Sequence, residues 1–348
     1  MARCIQWTAL LAAVAAGAAL TVAPLAAQSG ALDPQCAAAD RPLQDACQKS
    51  IDLFDFMAPQ LGTAVAGGNA VLGQGGAFGR LGRFSVGLRA IAFEGSFPDV
   101  QDMAVSVSGP QASNFGVRRQ YVGAPAVDAA LALFPGLAIG PLRVGALDVI
   151  ATATYIPEYE NDAFSVRTPD GSVRLGYGGR LGLLQETRVV PGVAVTYLRR
   201  DLPRIAMLGE VAASGSRLDD TLGVRELRVQ TQAWRVVAGK RVSVIGLAIG
   251  AGQDRYSSGA LLGAVVNESV LGWPINRFES PEIDLAQTIT RTNYFADLSL
   301  NLPGVRIAAE LGRARGGRVR TSYNSFENRE RRAGDDLTYL GASVRMGF

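Results

Sequence analysis

The sequence predicts an all-β fold: a transmembrane, antiparallel up-and-down β-barrel of 10 strands, alternatively 12, preceded by a small, partly helical N-terminal cap or plug. Three observations predict it. From about Phe84 onward the chain alternates in polarity with period two, which sends apolar and polar side chains to opposite faces of a strand. Short turns and long polar stretches are sorted to opposite ends of these segments, as in barrels that span a bilayer. The third is composition: 41 glycines stand in 348 residues, and each Gly weakens a helix by about 1 kcal/mol relative to Ala.

The N-terminus reads Met1-Ala2-Arg3, an apolar run from Ala9 to Val22, then Ala23-Pro24-Leu25-Ala26-Ala27-Gln28. This is the pattern of a signal peptide over residues 1–27, and it implies export. Cys4 leaves with it, so Cys36 and Cys47 form an even pair in an oxidising compartment and are expected to be a disulfide. Residues 28–80 form the cap or plug segment. Leu43, Ala46, Cys47, Ile51 and Phe54 recur at helical spacing, and a glycine-rich stretch from Gly62 to Gly76 follows. No later apolar run reaches 18 residues without breakers, so membrane entry by helices is not expected.

Residues 81–348 carry the barrel. Tight turns stand at Phe134-Pro135-Gly136-Leu137, Val190-Pro191-Gly192-Val193, Gly239-Lys240 and Leu302-Pro303-Gly304-Val305. Long polar stretches occupy 97–118, 157–171, 200–222, 256–283 and 316–335. The strands that result are 83–96, 119–133, 137–155, 171–189, 193–200, 223–238, 241–256, 284–302, 305–315 and 336–348. An extra hairpin around Ile205 to Ala213 would make twelve. Tyr121, Tyr155 and Tyr177 share apolar parity toward the long-loop end, and Phe84 and Phe348 toward the short-turn end, as two interfacial girdles would. Tyr294 has the right parity but sits nearer mid-strand.

Parity assigns Arg89, Asp128, Asp148, Arg174, Arg180, Glu226, Arg228, Gln230, Gln232, Asp297, Arg306, Glu310 and Arg345 to the lumen, because a charge facing lipid at the midplane costs about 2–4 kcal/mol. Arg143 falls on the apolar parity and requires a place near the interface. The bland reading of the inward charges is a ladder of Arg–carboxylate pairs filling a narrow interior. The sharper reading is an ion-selective constriction at Arg174, Arg180 and Arg228.

Function classes narrow by absence. There is no histidine, which removes Ser-His-Asp hydrolysis and the commonest neutral-pH base. Asp128 and Asp148 face inward on adjacent strands, yet pairing with Arg89 or Arg174 explains them better than glycosidase chemistry. The balance of 34 basic against 31 acidic residues gives no field for nucleic acid. No enzyme activity, cofactor or metal is expected, and the sequence leaves the oligomeric state open.

The terminal Phe348 after Leu340, Ala342, Val344 and Met346 resembles the C-terminal signal of the bacterial outer-membrane β-barrel proteins, which the barrel-assembly machinery reads. That resemblance implies outer-membrane localisation with membrane lipid and lipopolysaccharide as neighbours. A helical hatch ahead of a barrel is similar to the outer-membrane long-chain fatty-acid transporter family around Gly67-Gly68-Asn69-Ala70, although Asn69-Ala70 lacks the proline of an Asn-Pro-Ala signature. The function expected is passive passage or uptake of a small solute or apolar ligand. The alternative is a structural or surface-interaction barrel with a closed interior.

Overall fold

The computed structural model describes residues 31–99, 105–156, 158–161, 164–202, 204–211, 220–270, 273–280, 282–317, 321, 323–326 and 336–347. The expected signal peptide at residues 1–27, the terminal Phe348 and the mixed-charge run Glu327–Arg332 lie outside them.

Alternation becomes strands, and the strands close on themselves. Ten of them form the ring: β1 Phe84–Pro98, β2 Val117–Phe134, β3 Ala146–Tyr155, β4 Val173–Leu184, β5 Gly192–Asp201, β6 Asp220–Val242, β7 Ile245–Val270, β8 Ile283–Leu302, β9 Val305–Arg315 and β10 Leu337–Gly347. Each pairs antiparallel with its chain neighbour, and β1 with β10 shuts the barrel, with Leu88 opposite Val344. Closure leaves the ring without an open sheet edge, which is what hydrocarbon demands. The twelve-strand alternative does not hold: Ile205–Val211 is a short strand on the outer extension of β6 and pairs there with Phe164–Arg167. The stretch 137–155 is also not one strand, since a small hairpin, Leu137–Ile139 with Leu142–Val144, precedes β3.

The outer face is a continuous apolar band. Leu88, Val127, Leu131, Leu147, Val149, Leu181, Val236, Leu247, Ile249, Leu298, Leu311, Leu340 and Val344 all stand exposed on it. Tyr121, Tyr155, Tyr177, Tyr197, Trp234 and Tyr294 rim its long-loop side, and Phe84 and Phe134 its short-turn side. Tyr294 therefore belongs to the girdle. It is mid-strand only because β6, β7 and β8 run on well past the apolar band, β7 reaching 26 residues.

Two helices precede β1: α1, Pro34–Ala37, and α2, Arg41–Ala66. Pro42 sits in the first turn of α2, where its missing N–H is harmless. Gly67 ends the helix at φ 58°, a left-handed C-cap that Gly adopts without steric cost. The Cys36–Cys47 disulfide ties α1 to α2, and closing a loop of that size removes about 3 kcal/mol of unfolded-chain freedom. No described helix is long and apolar enough to cross a membrane.

Candidate functional site: the plug seam inside the barrel

Helix α2 is buried around its circumference because it lies inside the ring, starting at the long-loop end. Ile51, Phe54, Ala58 and Val65 pack against Leu227, Val229, Ala260, Leu262, Ile283 and Leu285, the inward residues of β6, β7 and β8. Its polar face is used as well. Asp45 accepts from Lys49 Nζ at 2.6 Å, from the Ser106 amide at 2.7 Å and from the Gln111 amide at 2.8 Å. Asp52 accepts from Asn324 at 2.8 Å, and Phe56 stacks on Phe326 at 4.2 Å between ring centres. Outer loops thus fold over the helix and cover the long-loop end.

This seat is pH-sensitive. Burial, reinforced by the charges of Asp52 and Asp33, pushes the Asp55 carboxyl up to about 6, although Gln287 donates to it at 2.8 Å. A carboxyl raised on folding opposes the folded state when it ionises. The seat is therefore strongest below the ordinary carboxylate range near 4 and weakens until pH passes 6, by up to about 3 kcal/mol. Protection factors of α2 amides, with the intrinsic pH dependence of exchange divided out, are expected to fall between pH 4.5 and 7, and Asp55→Asn should flatten that fall; an unchanged fall in the variant would refute the assignment.

Past Gly67 the chain continues through the lumen, and wall side chains read its backbone. Glu310 accepts from the Asn69 amide at 3.2 Å, Asp297 from the Gly73 amide at 2.9 Å and Asp148 from the Phe78 amide at 3.2 Å. Arg200 donates to the Ala66 carbonyl, placing a cation at the negative C-terminal end of α2. Arg345 donates to the Ala70 carbonyl, Gln185 to Ala77 at 3.0 Å and Arg143 to Gly79 at 2.9 Å. Arg143 thus sits at the short-turn rim, as its parity required. Ala70 and Val71 add a small apolar contact to Ala130, Ile150 and Leu198.

Behind this seam the wall charges pair with one another. Arg89 meets Asp128 at 2.6 Å, Arg180 meets Asp148 at 2.6 Å, and Arg235 meets Asp254 at 3.1 Å, all almost fully buried. Asp297 and Glu310 stand directly opposite on β8 and β9. Of the residues that parity sends inward, Arg89, Asp128, Asp148, Arg180, Asp297, Glu310 and Arg345 are buried in this lattice. Asp128 and Asp148 each hold their own arginine. Arg306 lines the short-turn mouth, with Nε on Asn301 at 2.5 Å, while Arg174 pairs with Asp170 at 3.1 Å near the outer loops.

Glu226, Arg228, Gln230 and Gln232 are a correction. Leu227, Val229, Thr231 and Ala233 are the buried set on β6, and Glu226 and Arg228 pair with each other on the outer side. A β-bulge between Arg225 and Arg228, with Glu226 at φ 51°, interrupts the ladder there, and beyond it Arg228, Gln230 and Gln232 keep one parity, the outward one. Below it the inward face is apolar because α2, not water, lies against it. Arg174, Arg180 and Arg228 therefore do not form a shared constriction. Arg200, Arg235, Asp254 and Arg291 are buried lumen groups that parity missed. Arg235 carried a usable signal, since it shares parity with Leu227 to Ala233 and an arginine at that depth does not face lipid.

At the short-turn mouth a cavity of about 230 Å³ opens below the plug, lined by Gln74, Arg83, Glu186, Arg241, Arg306 and Arg345 among others. Among the described residues, no cluster of His, Cys, Asp or Glu is arranged to hold a metal.

The chain is thus a closed β-barrel with its own N-terminal segment inside. No protein-family model matches it, and no curated protein matches it in sequence. Solved structures that resemble it are outer-membrane β-barrels. The transport unit of the autotransporter AIDA-I from Escherichia coli is 8% identical, at TM-score 0.28 over 89% of this chain and 100% of that one. The Pseudomonas putida toluene transporter TodX is 12% identical, at TM-score 0.31 over 80% and 93%. An anion-selective porin from Comamonas acidovorans is 8% identical, at TM-score 0.17 over 76% and 98%. At such identities and scores no function carries over.

Proposed function

We propose that this chain is a bacterial outer-membrane barrel for the passage of small solutes that rests closed, with residues 67–80 as the part that yields first. The observation that carries the reading is the seam itself. Glu310, Asp297, Asp148, Arg345 and Gln185 hold the lower plug chiefly through backbone hydrogen bonds. Water replaces such bonds at a net loss of only about 0.5–1.5 kcal/mol each, more where a charge takes part. The apolar seat of α2 has no such substitute, so the helix stays until a stimulus moves it. The apolar band between two aromatic rims supports outer-membrane placement among lipid and lipopolysaccharide. On the same reading the short turns are periplasmic, and Phe348 is the signal for the barrel-assembly machinery.

A second reading, a structural or surface-interaction barrel, is favoured by that same apolar seat, the disulfide and the loops folded over α2. Single-channel recording in a planar bilayer separates the two. Wild type is expected to be silent or to flicker rarely, and Asp297→Asn with Glu310→Gln to open at least about tenfold more often, the loss of about 1.4 kcal/mol of seat. Silence of both proteins at every voltage, with heat-modifiable gel mobility showing them folded, would leave the closed barrel.

A further inference from the structure

We infer that the short-turn mouth is a binding site for a phosphate-type dianion free in solution, gripped by Arg306, Arg83 and Arg345 beneath the plug. Among the described residues, five cationic side chains line the cavity, from Arg83, Lys240, Arg241, Arg306 and Arg345, against the single acid Glu186. That acid accepts from the Arg241 amide at 2.6 Å and its charge also reaches Arg306, so one negative charge stands against five positive ones. Lys240 is engaged too, donating to the Thr187 and Val190 carbonyls. The arginines are not neutralised. Arg306 spends its Nε on Asn301, and its terminal nitrogens have no partner among the described residues. Arg83, Arg180 and Arg241 lie within electrostatic reach of it, and Arg180 alone of these is paired with a carboxylate. Arg345 is 4% exposed and its Nε is buried without a partner, while its other nitrogens serve Ser85 and Ala70.

Higher in the lumen Arg89, Arg180 and Arg235 each have an aspartate, and Arg200 caps the Ala66 carbonyl. At the mouth several cations share one glutamate, in a concave site that concentrates their field. A planar guanidinium with two free N–H groups matches a phosphate edge in a bidentate fork. A cavity of about 230 Å³ holds a few waters or one small polyatomic anion. The inference names the class of solute that the gate reading leaves open. It rests on that reading for passage but not for binding.

Titration calorimetry of the full protein in a neutral detergent at low ionic strength tests it, with inorganic phosphate as the probe. Wild type is expected to give a saturable heat that sulfate competes away and added salt weakens. Arg306→Gln should weaken phosphate at least about tenfold, whereas Arg313→Gln, whose arginine pairs with Asp336 at the outer rim, should bind as wild type does. No saturable heat with folded protein, or equal affinity in Arg306→Gln, would overturn the site. So would heat from phosphatidylglycerol-containing micelles with none from free phosphate, since that marks a lipid headgroup as the ligand. Because calorimetry needs no open pore, a silent bilayer and a failed titration remain separate results.

Discussion

Asp148→Ala is expected to destabilise the barrel by about 3–5 kcal/mol, among the largest losses available to one substitution. Asp148 is fully buried and holds two things at once, the Arg180 guanidinium at 2.6 Å and the Phe78 amide at 3.2 Å. Removing it strands a guanidinium that is 1% exposed, although Gln74 still accepts one of its N–H groups at 3.0 Å. The ring of Phe78 stays 5.1 Å from the guanidinium carbon, which is too weak a contact to replace a carboxylate. Denaturant unfolding in lipid vesicles reads the loss, and the double variant Asp148→Leu with Arg180→Met separates its causes. If the cost comes from the stranded charge, the double variant recovers most of it. A single-variant loss below about 1 kcal/mol would mean that water reaches Arg180 and that the lattice is not dry.

Gly75→Val is expected to unseat the lower plug while leaving the barrel folded. A side chain at Gly75 would run into the backbone of Gly239, so neither chain has room to shift without breaking the β6–β7 turn region. Backbone does not yield as a flexible side chain would, and overpacking of this kind typically costs 1–3 kcal/mol or more. Leu72 is fully buried beside the seam and provides a readout that does not depend on conductance. A cysteine placed there should react with a maleimide readily in the Gly75→Val background and at least about tenfold more slowly without it. Gly263→Ala is the control, because a methyl there meets nothing within 4 Å. Equal labelling in both backgrounds would show that the plug reseats around the larger residue. The gate reading would then lose its moving part.

Much of the architecture was legible because a bilayer imposes rules that sequence patterns obey directly. Leu340, Ala342, Val344 and Met346 alternate with Gly341, Ser343 and Arg345, and that is how β10 sits, apolar outward and Arg345 inward. β9, β4 and the part of β8 from Asn293 to Leu300 follow the same rule for the same reason. The helical spacing of Leu43, Ala46, Cys47, Ile51 and Phe54 marks the buried residues of α2. The candidate site was legible in part. Arg89, Asp128, Asp148, Arg180, Asp297, Glu310 and Arg345 stood on inward parity because lipid rejects a charge at any of those positions.

Where the rule assumed water inside, it failed. On β6 the lumen holds α2, so Leu227 and Val229 turn inward and Arg228 outward, with a bulge at Glu226 that no alternation count registers. The sequence by itself determined the strands, their number to within one hairpin, the disulfide and most inward charges, since each follows from local periodicity or from the cost of facing lipid. Only the tertiary structure decided which aspartate holds which arginine, that the glycine-rich segment threads the lumen against Glu310, Asp297 and Asp148, and that unpaired arginines gather at the short-turn mouth. Those are contacts between residues up to 275 positions apart, Ala70 with Arg345 being one, and their partners are set by barrel closure rather than by any neighbouring residue.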